Sequence, residues 1–99
     1  RGKLLYESPK LGCLDCHAPP LYTNLKMFDV GTRGELDRHD AFDTPTLVEL
    51  WRTAPYLHDG SAATLREVLI ERNRADKHGK TTQLSDAEID DLVAYMLSL

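Results

Sequence analysis

The sequence predicts an all-α domain with few helices and long connecting loops. Apolar residues recur at helical spacing near the C-terminus, and this stripe is typical of an amphipathic helix. The stripe consists of Ile89, Leu92, Val93, Met96 and Leu97. Residues 12–43 are rich in Gly, Pro and Asp, a composition that favours loops. No segment shows the alternation of polar and apolar residues that predicts a half-buried strand.

The N-terminal segment and two segments in the second half carry helix signals. Residues 1–7 place apolar side chains among charged ones, as in a short helix. This helix is expected to end before Ser8-Pro9, because a residue that precedes a proline disfavours the α conformation. Residues 63–72 and 84–99 each have, at their second position, a Thr or Ser that has a Glu at capping-box spacing. These pairs are Thr64 with Glu67 and Ser85 with Glu88.

A further helix is predicted over residues 43–51. Thr44 is placed to cap it, and Pro45 suits the first helical position, because the N–H that proline lacks is unpaired there in any case. Thr46 and Glu49 have the spacing of another capping box. Together the four segments give an all-α architecture.

Length and charge limit the classes of function. The 99 residues suffice for one domain, residues 1–99, and so small a core is marginal without a bound cofactor or a cross-link. The formal net charge of −4 argues against a nucleic-acid partner. No apolar run approaches the ~20 residues of a membrane span. The chain begins at Arg1 without a methionine or a signal peptide, as expected of a mature chain or of a piece excised from a larger protein.

Both cysteines lie in one short motif, Cys13-Leu14-Asp15-Cys16-His17, for which four interpretations are open. Structural zinc requires four ligands, usually as two pairs, and no second cysteine pair or closely spaced histidine pair follows. A thioredoxin-like dithiol lies in a βαβ pattern, and no strand is predicted before it. The cysteines are otherwise a disulfide or two free thiols, or they attach a c-type haem, for which C-x-x-C-H is the signature.

The spacing of the motif favours haem c. One turn of chain presents two sulfurs to a porphyrin edge, where Cys13 and Cys16 form thioether bonds, and it fixes His17 beneath the iron. A covalently bound haem would also enlarge a core that is otherwise small.

The order of the segments resembles that of a class I cytochrome c domain. Such a domain has a short N-terminal helix, C-x-x-C-H, long loops and a strong terminal helix, here DLVAYML. The resemblance implies that the first and last helices cross at close range around one covalently bound haem. Gly2 would permit this approach, with Leu5 and Tyr6 meeting Leu92 and Tyr95.

Two longer stretches resemble the C-terminal haem domain of the bacterial di-haem cytochrome c peroxidase and MauG superfamily. They are CLDCHAPPLYTNLKMFDVGT and FDTPTLVELWRTAPYLHDGSAATLREVL, and TAPYLHDGSAATL is the most specific part. The resemblance implies an electron-transfer domain, a redox partner protein or a fused redox domain, and a periplasmic or cell-surface location in bacteria. A peroxidase-like enzyme with an open haem iron and a haem-based sensor domain are the alternatives.

The ligand on the far side of the iron departs from the peroxidase pattern. The peroxidases supply a methionine after the PYxHDG loop, and the corresponding residue here is Arg72, whose guanidinium has no lone pair to offer. His78 is the expected ligand, because it precedes the terminal helix much as the sixth ligand of mitochondrial-type cytochromes does, and Gly79 allows a tight turn. The other options are His58, Met27, Met96 or an open position.

The segment that leads to His58 is expected to line the haem. Arg52 is predicted to pair with a propionate, since a guanidinium binds carboxylates well, and Tyr56 is predicted to lie on the same side. The resemblance gives His58 a local role, a hydrogen bond that shapes the pocket. With His17 and His78 on the two sides of the iron, the sequence predicts electron transfer and no vacant site for peroxide.

Overall fold

Five helical segments and one small sheet follow one another along the chain, which the computed structural model describes over residues 1–99. The helices are α1 (Gly2–Tyr6), α2 (Cys13–Cys16), α3 (Leu65–Leu69) and α4 (Asp86–Met96), with a 3₁₀ turn at Leu50–Arg52. Strands β1 (Met27–Phe28) and β2 (Phe42–Asp43) form an antiparallel pair. None of the helices has the length and apolar character needed to cross a membrane.

Helices α1 and α4 cross at very close range. A Cβ atom added to Gly2 would lie 1.9 Å from the carbonyl oxygen of Asp91, so only glycine lets the two backbones approach in this way. Tyr6 is 1% exposed, and its ring centre lies 5.3 Å from that of Tyr95 on α4. The crossing and the role of Gly2 are as the resemblance to a class I cytochrome c domain implies.

One apolar core holds the helices together. From α4 it includes Ile89, Leu92 and Met96, which are buried, whereas Leu97 lies past the end of the helix and is 39% exposed. The remaining members of the core come from α1, the segment before α2, the region of the 3₁₀ turn, and α3: Tyr6, Leu11, Leu47, Leu50, Leu65 and Leu69. Met96 therefore packs as a core residue.

Helix α4 begins with the complete capping box that its sequence predicts. The Ser85 hydroxyl accepts the N–H of Glu88, and the Glu88 carboxylate accepts the N–H of Ser85. In α3 the Thr64 hydroxyl accepts the N–H of Glu67, but the Glu67 carboxylate accepts the N–H of Ala63. Helix α3 has only 5 residues, fewer than predicted.

The predicted helix over residues 43–51 is wrong except for its end. Asp43 pairs with Met27 across the sheet. Thr44 continues this pairing, because its N–H and its hydroxyl both donate to the Lys26 carbonyl, at 2.9 and 2.8 Å. The groups that would cap a helix at Thr44 are thus used to extend the sheet.

Hydrogen bonds to residues distant in sequence explain why the rest of the predicted helix does not form. The Thr46 hydroxyl donates to the Leu21 carbonyl at 2.5 Å and makes no capping box with Glu49. The N–H of Glu49 donates to the Leu99 carbonyl at 3.0 Å, and Glu49 has a left-handed φ of 58°. A right-handed helix cannot continue through such a residue, so the 3₁₀ turn that follows is all that forms.

The sheet also corrects the all-α expectation. Each strand has only 2 residues, too few to produce an alternating pattern that the sequence would reveal. The architecture is a set of short helices joined by long loops, with one small antiparallel sheet between β1 and β2.

Candidate haem site

A tight turn presents both cysteines on the short helix α2. Gly12 precedes the helix with a left-handed φ of 78°, which glycine adopts at little cost. Cys13 and Cys16 form no disulfide with each other. Burial raises the pKa of Cys13 to about 11 and also raises the pKa of Cys16. Both are protonated at neutral pH, unlike the low-pKa thiolate of a dithiol redox site.

His17 follows α2 directly and is held from two sides. Its Nδ1 donates to the Tyr22 carbonyl at 2.9 Å, since a carbonyl can only accept; this fixes the proton on Nδ1 and leaves the lone pair on Nε2. The Tyr6 hydroxyl, from the α1–α4 crossing, donates to the His17 carbonyl at 2.7 Å. Burial lowers the pKa of His17, so the ring is neutral and suited to bind a metal.

His78 faces His17 from the loop before α4. The two ring centres lie 6.4 Å apart, with 34° between the ring planes. Nδ1 of His78 is buried and has no hydrogen-bond partner. Burial, and then the proximity of His17, lower the pKa of His78 to about 4. A buried ring nitrogen without a partner costs about 1–3 kcal/mol in a folded protein, and such a group calls for an explanation.

Asn73 organises the loop that carries His78. The Asn73 side chain is 2% exposed, and its Oδ1 accepts the N–H of His78 at 2.8 Å. Its Nδ2 lies 2.9 and 2.8 Å from the carbonyls of His78 and Gly79, and 2.8 Å from the Thr81 hydroxyl. Thr81 donates in turn to the Leu69 carbonyl at 2.6 Å. The loop that carries His78 is therefore ordered by one amide and anchored to α3.

The same loop is tied to the segment that leads to the cysteines. The N–H of Lys80 donates to the Leu11 carbonyl at 3.0 Å. Gly79 has a left-handed φ of 76°, and a Cβ atom there would lie 3.2 Å from that carbonyl oxygen. Leu11 is a buried core residue that precedes Gly12 and Cys13. The two segments that carry His17 and His78 are thus joined through the backbone.

Comparison with known proteins places the chain among cytochromes. Residues 41–78 match the family described as RoxA-like, cytochrome c-like. The whole chain aligns with hydrazine synthase subunit gamma of Kuenenia stuttgartiensis at 31% identity and covers 40% of it. It is 33% identical, over 94% of its length, to the methylamine utilization protein MauG of Methylophilus methylotrophus, of which it covers 33%. A solved structure of Kuenenia stuttgartiensis hydrazine synthase matches 99% of this chain and 45% of that one, with 30% identity and a TM-score of 0.92.

This chain is a cytochrome c-like domain related to the di-haem cytochrome c peroxidase and MauG superfamily. The relatives include the cytochrome c551 peroxidase of Nitrosomonas europaea, at 30% identity over 89% of the chain. The chain spans less than half the length of these proteins. Haem c is the cofactor of a cytochrome domain of this type, and C-x-x-C-H is its attachment motif.

The facing histidines of the cytochrome c-like domain fit haem iron. A transition metal binds an imidazole nitrogen at about 2.0–2.1 Å. The ring centre lies about 1 Å behind that nitrogen, so two imidazoles on opposite sides of one ion have centres about 6 Å apart. The separation of 6.4 Å between the ring centres of His17 and His78 has this size.

The two methionines that competed with His78 lie in different settings. Met96 is 8% exposed within the apolar core, where methionine commonly fills gaps. Met27 lies on β1 and is 58% exposed. His78 differs from both methionines in two ways: its ring lies close to that of His17, and its loop is ordered by hydrogen bonds.

The other predicted haem contacts have partners of their own in the cytochrome c-like domain. Arg52 is exposed, and its Nε lies 2.9 Å from the Glu49 carboxylate. The Tyr56 hydroxyl donates to the Leu50 carbonyl at 3.1 Å. Contacts of Arg52 or Tyr56 with a propionate stay predictions.

His58 belongs to a local hydrogen-bonded cluster. Its Nε2 lies 2.7 Å from Oδ2 of Asp37, and its ring stacks on that of Phe42, with 3.6 Å between centres. A local hydrogen bond was expected of His58; whether it shapes the haem pocket stays a prediction.

The sequence alone did not reveal two supports of the site. One is the Tyr6 hydroxyl on the His17 carbonyl, and the other is the set of bonds made by Asn73. An asparagine inside a polar loop with a glycine is a weak signal for such a role, because Asn side chains commonly replace backbone partners in turns. Nothing in the sequence gave the partners.

Proposed function

We propose that this domain transfers electrons through a single haem c, attached by Cys13 and Cys16, with His17 and His78 on the two sides of the iron. The observation that carries the proposal is the pair of half-buried, neutral imidazoles facing each other at 6.4 Å between ring centres. Bound haem c supplies a centre that accepts and releases one electron.

Hydrogen bonds fix the ring of His17 and the backbone of His78. The Tyr22 carbonyl sets the tautomer of His17, and the Tyr6 hydroxyl fixes its backbone. The Asn73 side chain hydrogen-bonds to both the N–H and the carbonyl of His78. Ligands held this firmly move little when the charge at a metal changes, which favours electron transfer. Hydrogen bonds around metal ligands are the usual means of such control.

Two observations favour electron transfer over a peroxidase-like reaction. Each of the facing imidazoles would occupy one axial position, so none is open for peroxide. Two side chains that could act as acid–base groups in an enzyme, those of His58 and Glu67, are also engaged elsewhere. The His58 imidazole is held by Asp37 and stacked on Phe42, and the Glu67 carboxylate accepts the N–H of Ala63 at the start of α3.

The domain is proposed to work with a second redox centre. The chain covers 40% of a hydrazine synthase gamma subunit and 33% of MauG, proteins long enough to hold further domains. The partner is thus a redox protein or a fused redox domain that delivers or removes the electron. Covalent haem attachment in bacteria takes place outside the cytoplasm, so we expect a periplasmic or cell-surface location.

Low-temperature electron paramagnetic resonance of the ferric, haem-loaded protein tests the proposal. Two imidazoles on the iron give a low-spin spectrum, and cyanide added at moderate concentration leaves it unchanged. A high-spin spectrum that cyanide converts to low-spin would show an open position and would favour the peroxidase-like or sensor alternative. Magnetic circular dichroism in the near infrared separates paired histidines from a histidine–methionine pair.

A further inference from the structure

Three side chains that the proposed electron transfer does not use converge on one point. Nε2 of His58 lies 2.7 Å from Oδ2 of Asp37 and 3.9 Å from Oδ2 of Asp59. One ligand atom from each of the three residues lies within 4.8 Å of the other two. Two donor atoms bound to one metal ion at about 2.0–2.2 Å lie at most about 4.4 Å apart, so the three side chains are near enough to reach a common ion after small rotations.

Neighbouring groups hold each of the three side chains in place. The His58 ring lies parallel to that of Phe42, with 10° between the planes. Oδ1 of Asp59 accepts the N–H of Ser61 at 3.0 Å, which leaves Oδ2 directed toward His58. Oδ2 of Asp37 accepts the N–H of Gly34 at 2.7 Å, so its other oxygen is free.

A glycine lies between the two carboxylates. A Cβ atom added to Gly34 would lie 3.3 Å from Oδ2 of Asp37 and 3.6 Å from Oδ2 of Asp59. The missing side chain at Gly34 therefore leaves open the space onto which both carboxylates converge. A methyl group in that space would crowd anything bound there.

The charges of the cluster are not balanced by the protein. Hydrogen bonds lower the pKa of Asp37, from Gly34 first and then from His58, and a hydrogen bond from Ser61 lowers the pKa of Asp59. Both are carboxylates at neutral pH. The ion pairs of the chain bring no lysine or arginine nitrogen to either carboxylate, and His58 is the one partner they share.

We propose that Asp37, His58 and Asp59 bind a divalent first-row transition metal ion, with Zn²⁺ as the preferred occupant. One imidazole nitrogen and two carboxylate oxygens form a donor set that zinc accepts, and an imidazole favours zinc over calcium or magnesium. For binding, Nε2 of His58 would give up the proton that it donates to Asp37 and offer its lone pair, with the ring proton on Nδ1. The ion would join the loop at residues 34–37 to the turn at residues 58–61, and water completes its coordination.

Calorimetric titration of Zn²⁺ into the haem-loaded, chelator-treated protein tests the site. The wild-type chain is expected to bind one ion, and His58→Gln and Asp59→Asn to bind it about tenfold more weakly or worse, as loss of groups that support a metal commonly does. His39→Gln is the matched control, because His39 is an exposed histidine of the same region; it should bind as the wild type does. Equal binding by the wild type, His58→Gln and His39→Gln would overturn the proposal, as would no saturable binding by the wild type.

A further variant distinguishes a change at the metal site from misfolding of the chain. Gly34→Ala keeps all three ligands and fills the space beside them, so it should weaken Zn²⁺ binding while the haem absorption spectrum stays unchanged. Titrations with Ca²⁺ and with Mg²⁺ test the metal class. Tighter binding of Ca²⁺ than of Zn²⁺ would overturn the assignment to a transition metal. Unaltered Zn²⁺ affinity in a folded Gly34→Ala protein would place the ion elsewhere.

Discussion

The side chain of Asn73 hydrogen-bonds to both the N–H and the carbonyl of His78. Its Oδ1 accepts the N–H of His78 at 2.8 Å, and its Nδ2 donates to the carbonyl of the same residue at 2.9 Å. The amide is buried, so the loop that presents the imidazole depends on a group without access to water. A change at Asn73 should therefore alter the position of His78 without touching its ring.

Replacing Asn73 by alanine should disorder the loop. Buried backbone groups of residues 78 and 79 would lose their partner, at about 1–3 kcal/mol. We expect a lower midpoint in denaturant and a mixture of low-spin and high-spin ferric haem in the resonance spectrum. Gln83→Ala is the control, since Gln83 is an exposed amide close by and should change neither. If Asn73→Ala is less stable but uniformly low-spin, Asn73 supports the fold and does not position the ligand.

Gly2→Ala tests the contact between α1 and α4. The added methyl group would meet the Asp91 carbonyl oxygen, so the helices must move apart. Overpacking of this kind typically costs about 1–3 kcal/mol. Thermal unfolding of the haem-loaded protein should begin at a lower temperature, while Lys3→Ala, an exposed change on the same helix, should have little effect. Equal melting temperatures for Gly2→Ala and Lys3→Ala would contradict the close crossing.

The parts of the fold that the sequence predicts correctly depend on local signals. Ser85 and Glu88 satisfy each other's backbone groups within one turn, so a capping box visible in the sequence is present in the structure. Thr46 and Glu49 have the same spacing, but the Thr46 hydroxyl bonds to Leu21, 25 residues earlier. No local pattern reveals a partner so far away, and the predicted helix is absent for that reason.

The candidate site also has parts that local sequence signals predict and parts that depend on distant contacts. The motif that contains Cys13, Cys16 and His17 is contiguous, so the sequence alone is enough to propose it. His78 was proposed from its position before α4, and the structure brings its ring to face His17. The bonds that order its loop come from Asn73 and Leu11, which are recognisable only once the chain is folded.

The thioether attachment is tested by substituting the cysteines. The wild-type protein should keep its haem through denaturation and appear in mass spectrometry heavier than the polypeptide by one haem. Cys13→Ala and Cys16→Ala should each keep a single bond, and the double variant should lose its haem to acidic organic solvent. A wild-type protein that is colourless or that carries zinc at the cysteines would contradict covalent haem.

His78→Ala is the most direct test of the second axial ligand. Without the imidazole the ferric haem should become high-spin and bind cyanide, because the group proposed to fill that side of the iron is gone. His78→Met should keep the iron low-spin and raise the reduction potential, since methionine–histidine ligation favours the reduced state relative to paired histidines. His39→Ala, at an exposed histidine, should leave both the spectrum and the potential as in the wild type. A low-spin spectrum that survives in His78→Ala would mean that another residue binds the iron, and His58→Ala would then be the variant that decides between the remaining histidines.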